Sequence, residues 1–555
     1  MTATATVAGT APSSRPRLPS GWTVAALVAA AAVASPLIAV LAGAVAPAGE
    51  VWRQLAETVL AEFVLNSILL SAGTAALAIT IGAGTAWLVT MHDFPGRRVF
   101  EVALLLTLAM PAYLIGYVYT DMLDVTGPVQ SALRAGLGVR FGEYWFPEIR
   151  SLGGAVLMFG LVLYPYVYLL CRAAFLEQSV CLTEVARTLG CSRMAMIRRV
   201  ALPLARPAIA AGAALAVMEA LADFGTVQHF AVRTFTTGIY QAWFQMGDRT
   251  AAQQLAACLM GVVATLLLLE RLARGPRRFF NTSSKHQAIT LVPMAGLRAA
   301  GATLACALPV LLGFAVPALR LAQLALEDGD STLHVLPFAR HSIVLAALAA
   351  ALAVAVAVVM AYGARLRATA TMRAAVTVAS LGYAVPGSVI AVGVLVPFGL
   401  FDNALDRWMR AQFGISTGLL LSGTIAALVF AYVARFLAVA LSTVEAGLAR
   451  IRPSVEDAAR VLGRGPAGSL AAVHAPLIRG SLLSAALLVF VDTMKELPAT
   501  LIVRPFDFDT LAVRVYNLAS DERLAQASTA ALVIVAAGLI PVAILARAMK
   551  RAGHD

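Results

Sequence analysis

Glu219 and Asp223 stand four residues apart near the end of one long apolar run, and Asp492 and Glu496 stand four apart near the end of another. Residues at that spacing share one face of a helix. Each run therefore presents a pair of carboxylates on one side. A charge inside a bilayer costs at least about 2.5–3.5 kcal/mol, so such groups face a bundle interior or a wetted path. Carboxylate oxygens suit hard cations. Two readings fit. The four groups contact a cation in transit, or they serve structure and gating near an outer interface, with Lys495 neutralising a neighbour. His229 sits at an outer position too, but a lone histidine at a span end is ordinary interfacial chemistry and takes no role. The chain contains no Ser/His/Asp set, no His-Glu-x-x-His and no metal-ligand spacing, so an enzyme reading lacks support.

The elements that must position these groups are apolar helices. Of 555 residues, 60% are hydrophobic and 13% charged, with mean hydropathy +0.82. Soluble domains carry roughly 25% charged residues. Lipid must be the solvent here. A helix crosses a bilayer core with about 20 apolar residues. Segments that qualify lie near 22–46, 64–90, 99–123, 152–174, 206–224 and 251–272, then near 299–321, 341–364, 374–400, 417–441, 481–500 and 526–547. The fold class expected is all-α, a polytopic membrane protein of twelve spans in two tandem six-helix repeats. The first span is too long for a signal peptide and suits a start-transfer anchor.

Net charge is +12, which in a soluble chain would suggest nucleic acid. Here the basic residues lie between spans and orient them. With the N-terminus inside, the inner segments hold 28 of the 42 Lys and Arg, Arg435 counted among them. Both termini are therefore expected in the cytoplasm. Cys171, Cys181, Cys191, Cys258 and Cys306 have no ligand spacing or evident bridge partner.

The chain repeats itself. Asn66-Ser-Ile-Leu-Leu70 recurs as His341-Ser-Ile-Val-Leu345, and Met110-Pro recurs as Val385-Pro, both 275 residues on. Ala186-Arg-Thr-Leu-Gly190 recurs as Ala459-Arg-Val-Leu-Gly463, now 273 residues on, and that offset pairs Glu219 with Asp492 and Asp223 with Glu496. Repeats of six spans share one topology and are related by an axis along the membrane normal, which creates a central path between them. The expected division is a disordered cytoplasmic tail over 1–20, a first transmembrane half over 21–275, a cytoplasmic linker over 276–298, and a second transmembrane half over 299–555.

Two inner loops stand out. Glu184-Val-Ala186-Arg-Thr-Leu-Gly190 precedes Pro203 by thirteen residues from its glycine, and Asp457-Ala-Ala459-Arg-Val-Leu-Gly463 precedes Pro476 at the same spacing. The pattern reads as a short helix, a glycine stop, a second helix, and a proline opening the next span. One such loop could be an amphipathic helix on the membrane surface; two at equivalent places, with the same Gly-to-Pro spacing, argue against that reading. They resemble the EAA loop of bacterial ABC-transporter permeases. In that family the short helix docks into a cleft of a cytoplasmic ATPase and passes on its closing motion. The resemblance assigns ATPase coupling to Glu184, Ala186, Gly190, Pro203, Asp457, Ala459, Gly463 and Pro476. The second copy departs from the family pattern, with Asp457 for Glu and His474-Ala475 before the proline.

Asp223-Phe-Gly-Thr226, Lys495-Glu-Leu-Pro-Ala-Thr500 and Phe508-Asp-Thr-Leu-Ala-Val-Arg514 further resemble the fused, two-half permeases of the ferric iron importer family, over almost all of the chain after about residue 60. This implies a bacterial inner-membrane protein that works with a periplasmic binding protein and two copies of an ABC ATPase, in a lipid bilayer and without nucleic acid. The chain has no Gly-x-x-x-x-Gly-Lys-Ser/Thr loop. No cofactor is expected on it, and ATP with Mg is left to the partner ATPase. Glu219, Asp223, Asp492 and Glu496 become candidates for the substrate pathway; a resident metal is unassigned. A thiamine or other small-cation ABC permease, or a carrier driven by an ion gradient, are the alternatives.

Overall fold

A computed structural model of the chain describes residues 21–47, 49–177, 202–274 and 291–552. A bilayer core offers no partner for free backbone groups, so separate spans must close their hydrogen bonds within helices. Among the described residues ten helices are long and apolar enough to cross, and two bent helix pairs raise the number to twelve. The first half supplies α1 (Gly21–Ala44), α2 (Leu60–Met91), α3 (Ala112–Leu123), α4 (Leu152–Glu177), α5 (Leu202–Ala222) and α6 (Arg249–Arg274). The second supplies α7 (Gly296–Asp328), α8 (Thr332–Leu366), α9 (Gly387–Phe413), α10 (Ile425–Ala449), α11 (Arg479–Met494) and α12 (Leu524–Ala552).

The spans expected at 99–123 and 374–400 are not continuous helices. Arg97–Ala109 meets the segment beginning at Ala112 at 89°. The break falls at Met110, held extended at φ −100°, ψ 108° by the following proline, whose ring excludes the helical region from its predecessor. Val385 before Pro386 does the same at φ −90°, ψ 128°. The repeated X-Pro pair thus marks a repeated joint. The other early repeat also has a structural reason. Asn66 Nδ2 donates to the Arg233 carbonyl at 2.9 Å, and His341 Nδ1 lies 3.0 Å from the Asp509 carbonyl. Each half uses that position to hold a loop.

Helices in lipid associate through close packing of small residues. α8 buries Ser342, Leu345, Ala346, Ala349, Ala350, Ala353 and Ala357 at intervals of three and four, and α10 and α11 pack on it. α2 approaches α4 so closely that a Cβ on Gly82 would lie 2.6 Å from the Tyr164 carbonyl oxygen.

The two sequence halves interleave. One core joins residues of α2 to α5 with α7 and α12. The other joins α8 to α11 with α1 and α6. Each half therefore lends its first and last spans to the other half's bundle. α7 is seated by Tyr119 Oη donating to the Leu312 carbonyl at 2.8 Å and by Arg320 pairing with Asp121 at 3.0 Å. α1 lies against α9, where a Cβ on Gly393 would come within 2.3 Å of the Pro36 carbonyl oxygen. A two-residue parallel pair of His92–Asp93 with Val292–Pro293 sets the start of α7 beside the end of α2.

Candidate functional site

α5 ends at Ala222 and a short helix, Gly225–His229, follows it. α11 ends at Met494 and is followed by Pro498–Val503, with proline in the first turn, where its missing N–H costs nothing. The intervening residues carry the chemistry. Glu496 Oε1 accepts from Ala499 N at 3.0 Å, and Oε2 from Thr500 N at 3.0 Å and Thr500 Oγ1 at 2.8 Å. These bonds satisfy N–H groups that a helix start leaves open. Arg435 completes the set at 2.7 Å from Glu496 Oε1. In the first half Asp223 Oδ1 accepts from Thr226 N at 2.7 Å, the same capping role with no cation.

The other two carboxylates are held differently. Tyr383 of the second half donates to Glu219 of the first at 3.1 Å. Lys495 Nζ lies 2.9 Å from Asp492 Oδ1. All four carboxylates line a single cavity of about 110 Å³, together with Lys495, Arg435, Tyr113, Tyr166 and Tyr383. That volume accommodates roughly three or four waters. Equivalent positions of the two halves both line it: Val162 and Arg435, Ala222 and Lys495, Leu108 and Tyr383. The cavity therefore sits where the two halves of the sequence meet. Tyr113 Oη reaches the Lys495 carbonyl at 3.4 Å, and a Cβ on Gly225 would lie 2.8 Å from both Leu497 and Tyr113. The halves touch there directly.

Four carboxylates face two cations, so the lining carries a surplus of negative charge. Among the described residues no three His, Cys, Asp or Glu side chains converge as a metal-holding group. The carboxylates border this cavity and, among the described residues, do not form a chelate.

Of the residues assigned to ATPase coupling by resemblance, Glu184, Ala186 and Gly190 lie outside the described residues, and Pro203 falls in the first turn of α5. The second loop is described throughout. Pro453–Val461 forms the short helix, and Gly463 stops it at φ +75°. A second helical stretch runs from Pro466 to Leu477 and meets α11 at 79°. Pro476 lies in the last turn of that stretch and does not open the span, which starts at Arg479. Asp457, Val461 and Leu462 are exposed, while Ala459 is buried. The loop is tied to the bundle by residues the sequence reading passed over. Arg365, at the end of α8, donates to the Leu448 carbonyl at 2.6 Å, the Ile451 carbonyl at 2.8 Å and Glu456 at 3.4 Å. Tyr362 donates to the Pro466 carbonyl at 3.0 Å, and its ring packs 5.1 Å from buried His474.

Comparison with known proteins gives this arrangement its context. Residues 78–278 match the family described as binding-protein-dependent transport system inner membrane component. A probable molybdenum ABC transporter permease protein of Haloferax volcanii is 31% identical over 214 residues, 38% of this chain and 75% of that protein. The chain belongs to this permease family. The Fe(3+)-transport system permease protein FbpB 2 of Haemophilus influenzae is 26% identical over 497 residues, 88% of this chain and 90% of that protein. The molybdenum transport system permease protein ModB of Escherichia coli K12 is 28% identical over 220 residues, 38% of this chain but 92% of its own length. A whole one-unit permease thus corresponds to less than half of this one, while FbpB 2 runs alongside nearly all of it. The permease is an inner-membrane transport component of an ABC system, with ATPase and substrate-binding partners, and not an enzyme. A gradient-driven carrier is set aside by that membership.

Several residues of the permease site were missed in the sequence. Arg435 was counted with the cytoplasmic charges, but it lies within α10, 8% exposed, on the cavity. Its lack of any basic counterpart at Val162 was the available signal. Tyr113, Tyr166 and Tyr383 gave none, since a tyrosine in an apolar run reads as packing.

Proposed function

We propose that the permease carries ferric iron from a substrate-binding protein on the outer face into the cytoplasm. The observation that carries this reading is the charge of the shared cavity, four carboxylates and three tyrosines against one lysine and one arginine. Hard trivalent cations favour carboxylate and phenol oxygens. An oxyanion such as molybdate would meet net repulsion along the same lining. The length of chain shared with FbpB 2 supports the same cargo.

In this reading two ATPase subunits dock on the two inner loops, one at Glu184, Ala186, Gly190 and Pro203 and one at Asp457, Ala459, Gly463 and Pro476. Exposed Val461 and Leu462 offer the second ATPase an apolar contact. Closure of the ATPases on ATP drives the short helices together and opens the central cavity outward; hydrolysis resets it. Arg365 and Glu456 transmit the push into α8 and α10. Both termini lie in the cytoplasm, in keeping with the basic residues of the inner segments.

Uptake of labelled ferric iron and labelled molybdate, in cells with and without the gene, tests the reading. Iron uptake should fall in the deletion strain and return with the wild-type gene. Loss of molybdate uptake with iron unchanged would overturn it.

A further inference from the structure

Lys495 and Arg435 both border the cavity, both come from the second half, and they are held in opposite ways. Arg435 is fixed. Its guanidinium is bonded to Glu496 at 2.7 Å and packed 5.4 Å from the Phe436 ring, and only the absence of a Cβ at Gly387 leaves room for it. Among the described residues Lys495 has one ion-pair partner, Asp492 at 2.9 Å, and its side chain is still 33% exposed; it lines the cavity. An ammonium on four methylenes is a mobile point charge. The equivalent position in the first half is Ala222, so nothing symmetric opposes it.

The four carboxylates also divide. Asp223 and Glu496 are engaged by the backbone of the short helices that follow them. Glu219 and Asp492 are not; a phenol holds one and the lysine holds the other. These two are equivalent positions of the two halves, and Lys495 is the mobile cation beside them.

We infer that Lys495 is a tethered counter-cation: it pairs with Asp492 beside Glu219 until cargo arrives, and cargo enters by displacing it. This rests on the cation reading of the cavity given above and adds a selection rule to it. A monovalent ion offers the carboxylates no more charge than the ammonium already there, and it lacks the advantage of a tether. A trivalent ion offers three times as much. Lysine therefore keeps alkali cations out of the passage while yielding to a highly charged one.

The test uses the full chain, purified with its ATPase subunits in lipid nanodiscs, and terbium(III) as the probe. Luminescence sensitised by the cavity tyrosines reports binding. Wild type should bind weakly and Lys495→Met about tenfold or more tightly, because a competing charge has gone. Lys495→Gln, which can still donate to Asp492, should tighten binding likewise, and Lys495→Arg should not. Glu219→Gln should abolish the signal in every background. A gain of affinity is not what a damaged fold produces. If Glu219→Gln abolishes binding but neither Lys495→Met nor Lys495→Gln tightens it, the counter-cation is refuted and the cavity remains a cation passage. If no terbium binding depends on Glu219, the cation reading of the cavity falls and this inference falls with it.

Discussion

Gly387 makes room for Arg435: a Cβ at that position would stand 2.1 Å from the guanidinium and 2.6 Å from Glu496 Oε1. The first half carries Ala112 and Val162 at the equivalent places, with no cation to accommodate. Glycine and arginine are thus one paired departure from symmetry. Gly387→Ala should push the guanidinium off Glu496, lower the thermal midpoint of the purified complex and reduce iron uptake several-fold. Adding Arg435→Val recreates the first half's pair and should recover part of the lost midpoint. A double variant no more stable than the single one would refute the pairing.

Glu219 and Glu496 should respond differently to the same change. Glu496 is buried and joined to Arg435 and three donors. Breaking a buried ion pair costs about 3–5 kcal/mol, so Glu496→Gln should appear first as lost stability in a denaturation curve. Glu219→Gln still accepts from Tyr383 and should change stability by less than about 1 kcal/mol. Its effect should be on uptake, down roughly tenfold, with the ATPase still bound.

Gly463 tests the inner loop. A side chain there would meet nothing within 4 Å, but the backbone is at φ +75°, a conformation that costs an ordinary residue about 1–2 kcal/mol. Gly463→Leu should therefore leave expression normal while ATP hydrolysis in proteoliposomes proceeds with little iron uptake. Gly463→Asn, tolerant of that conformation, should lie nearer wild type. Equal coupling in both variants and wild type would remove the glycine from the docking mechanism.

Arg365 joins the end of α8, the end of α10 and the short helix in one fork of hydrogen bonds. Lysine cannot reproduce a planar fork. Arg365→Lys should keep the ATPase bound yet reduce iron uptake per ATP hydrolysed by about tenfold, read from paired flux and hydrolysis assays.

What the sequence disclosed follows from what periodicity and offset can report. Twelve apolar stretches, the 273-residue offset and the expense of intramembrane charge together brought out Glu219, Asp223, Asp492 and Glu496, which the structure gathers at one cavity. Spacing alone did not separate the two caps from the two carboxylates held by side chains, since that depends on where Thr226 and Thr500 turn their N–H groups. Arg435 was misplaced because a count of basic residues by segment assumes every arginine avoids the membrane. The bends at Met110 and Val385 were signalled by proline yet read as continuous spans. The exchange of first and last helices between bundles had no signal at all: an apolar stripe shows that a face is covered, not which half covers it.

That exchange has a bearing on biosynthesis. α1 reaches the bilayer before the other described spans, but the part of its seat formed by α8 and α9 exists only once the ribosome has passed Phe413. At roughly 5–20 residues per second, α1 waits tens of seconds before that part of its packing face is matched, with α6 arriving in between. A chain that stops short can never finish even its first bundle, so incomplete products are left open to membrane proteases while the full-length one closes on itself.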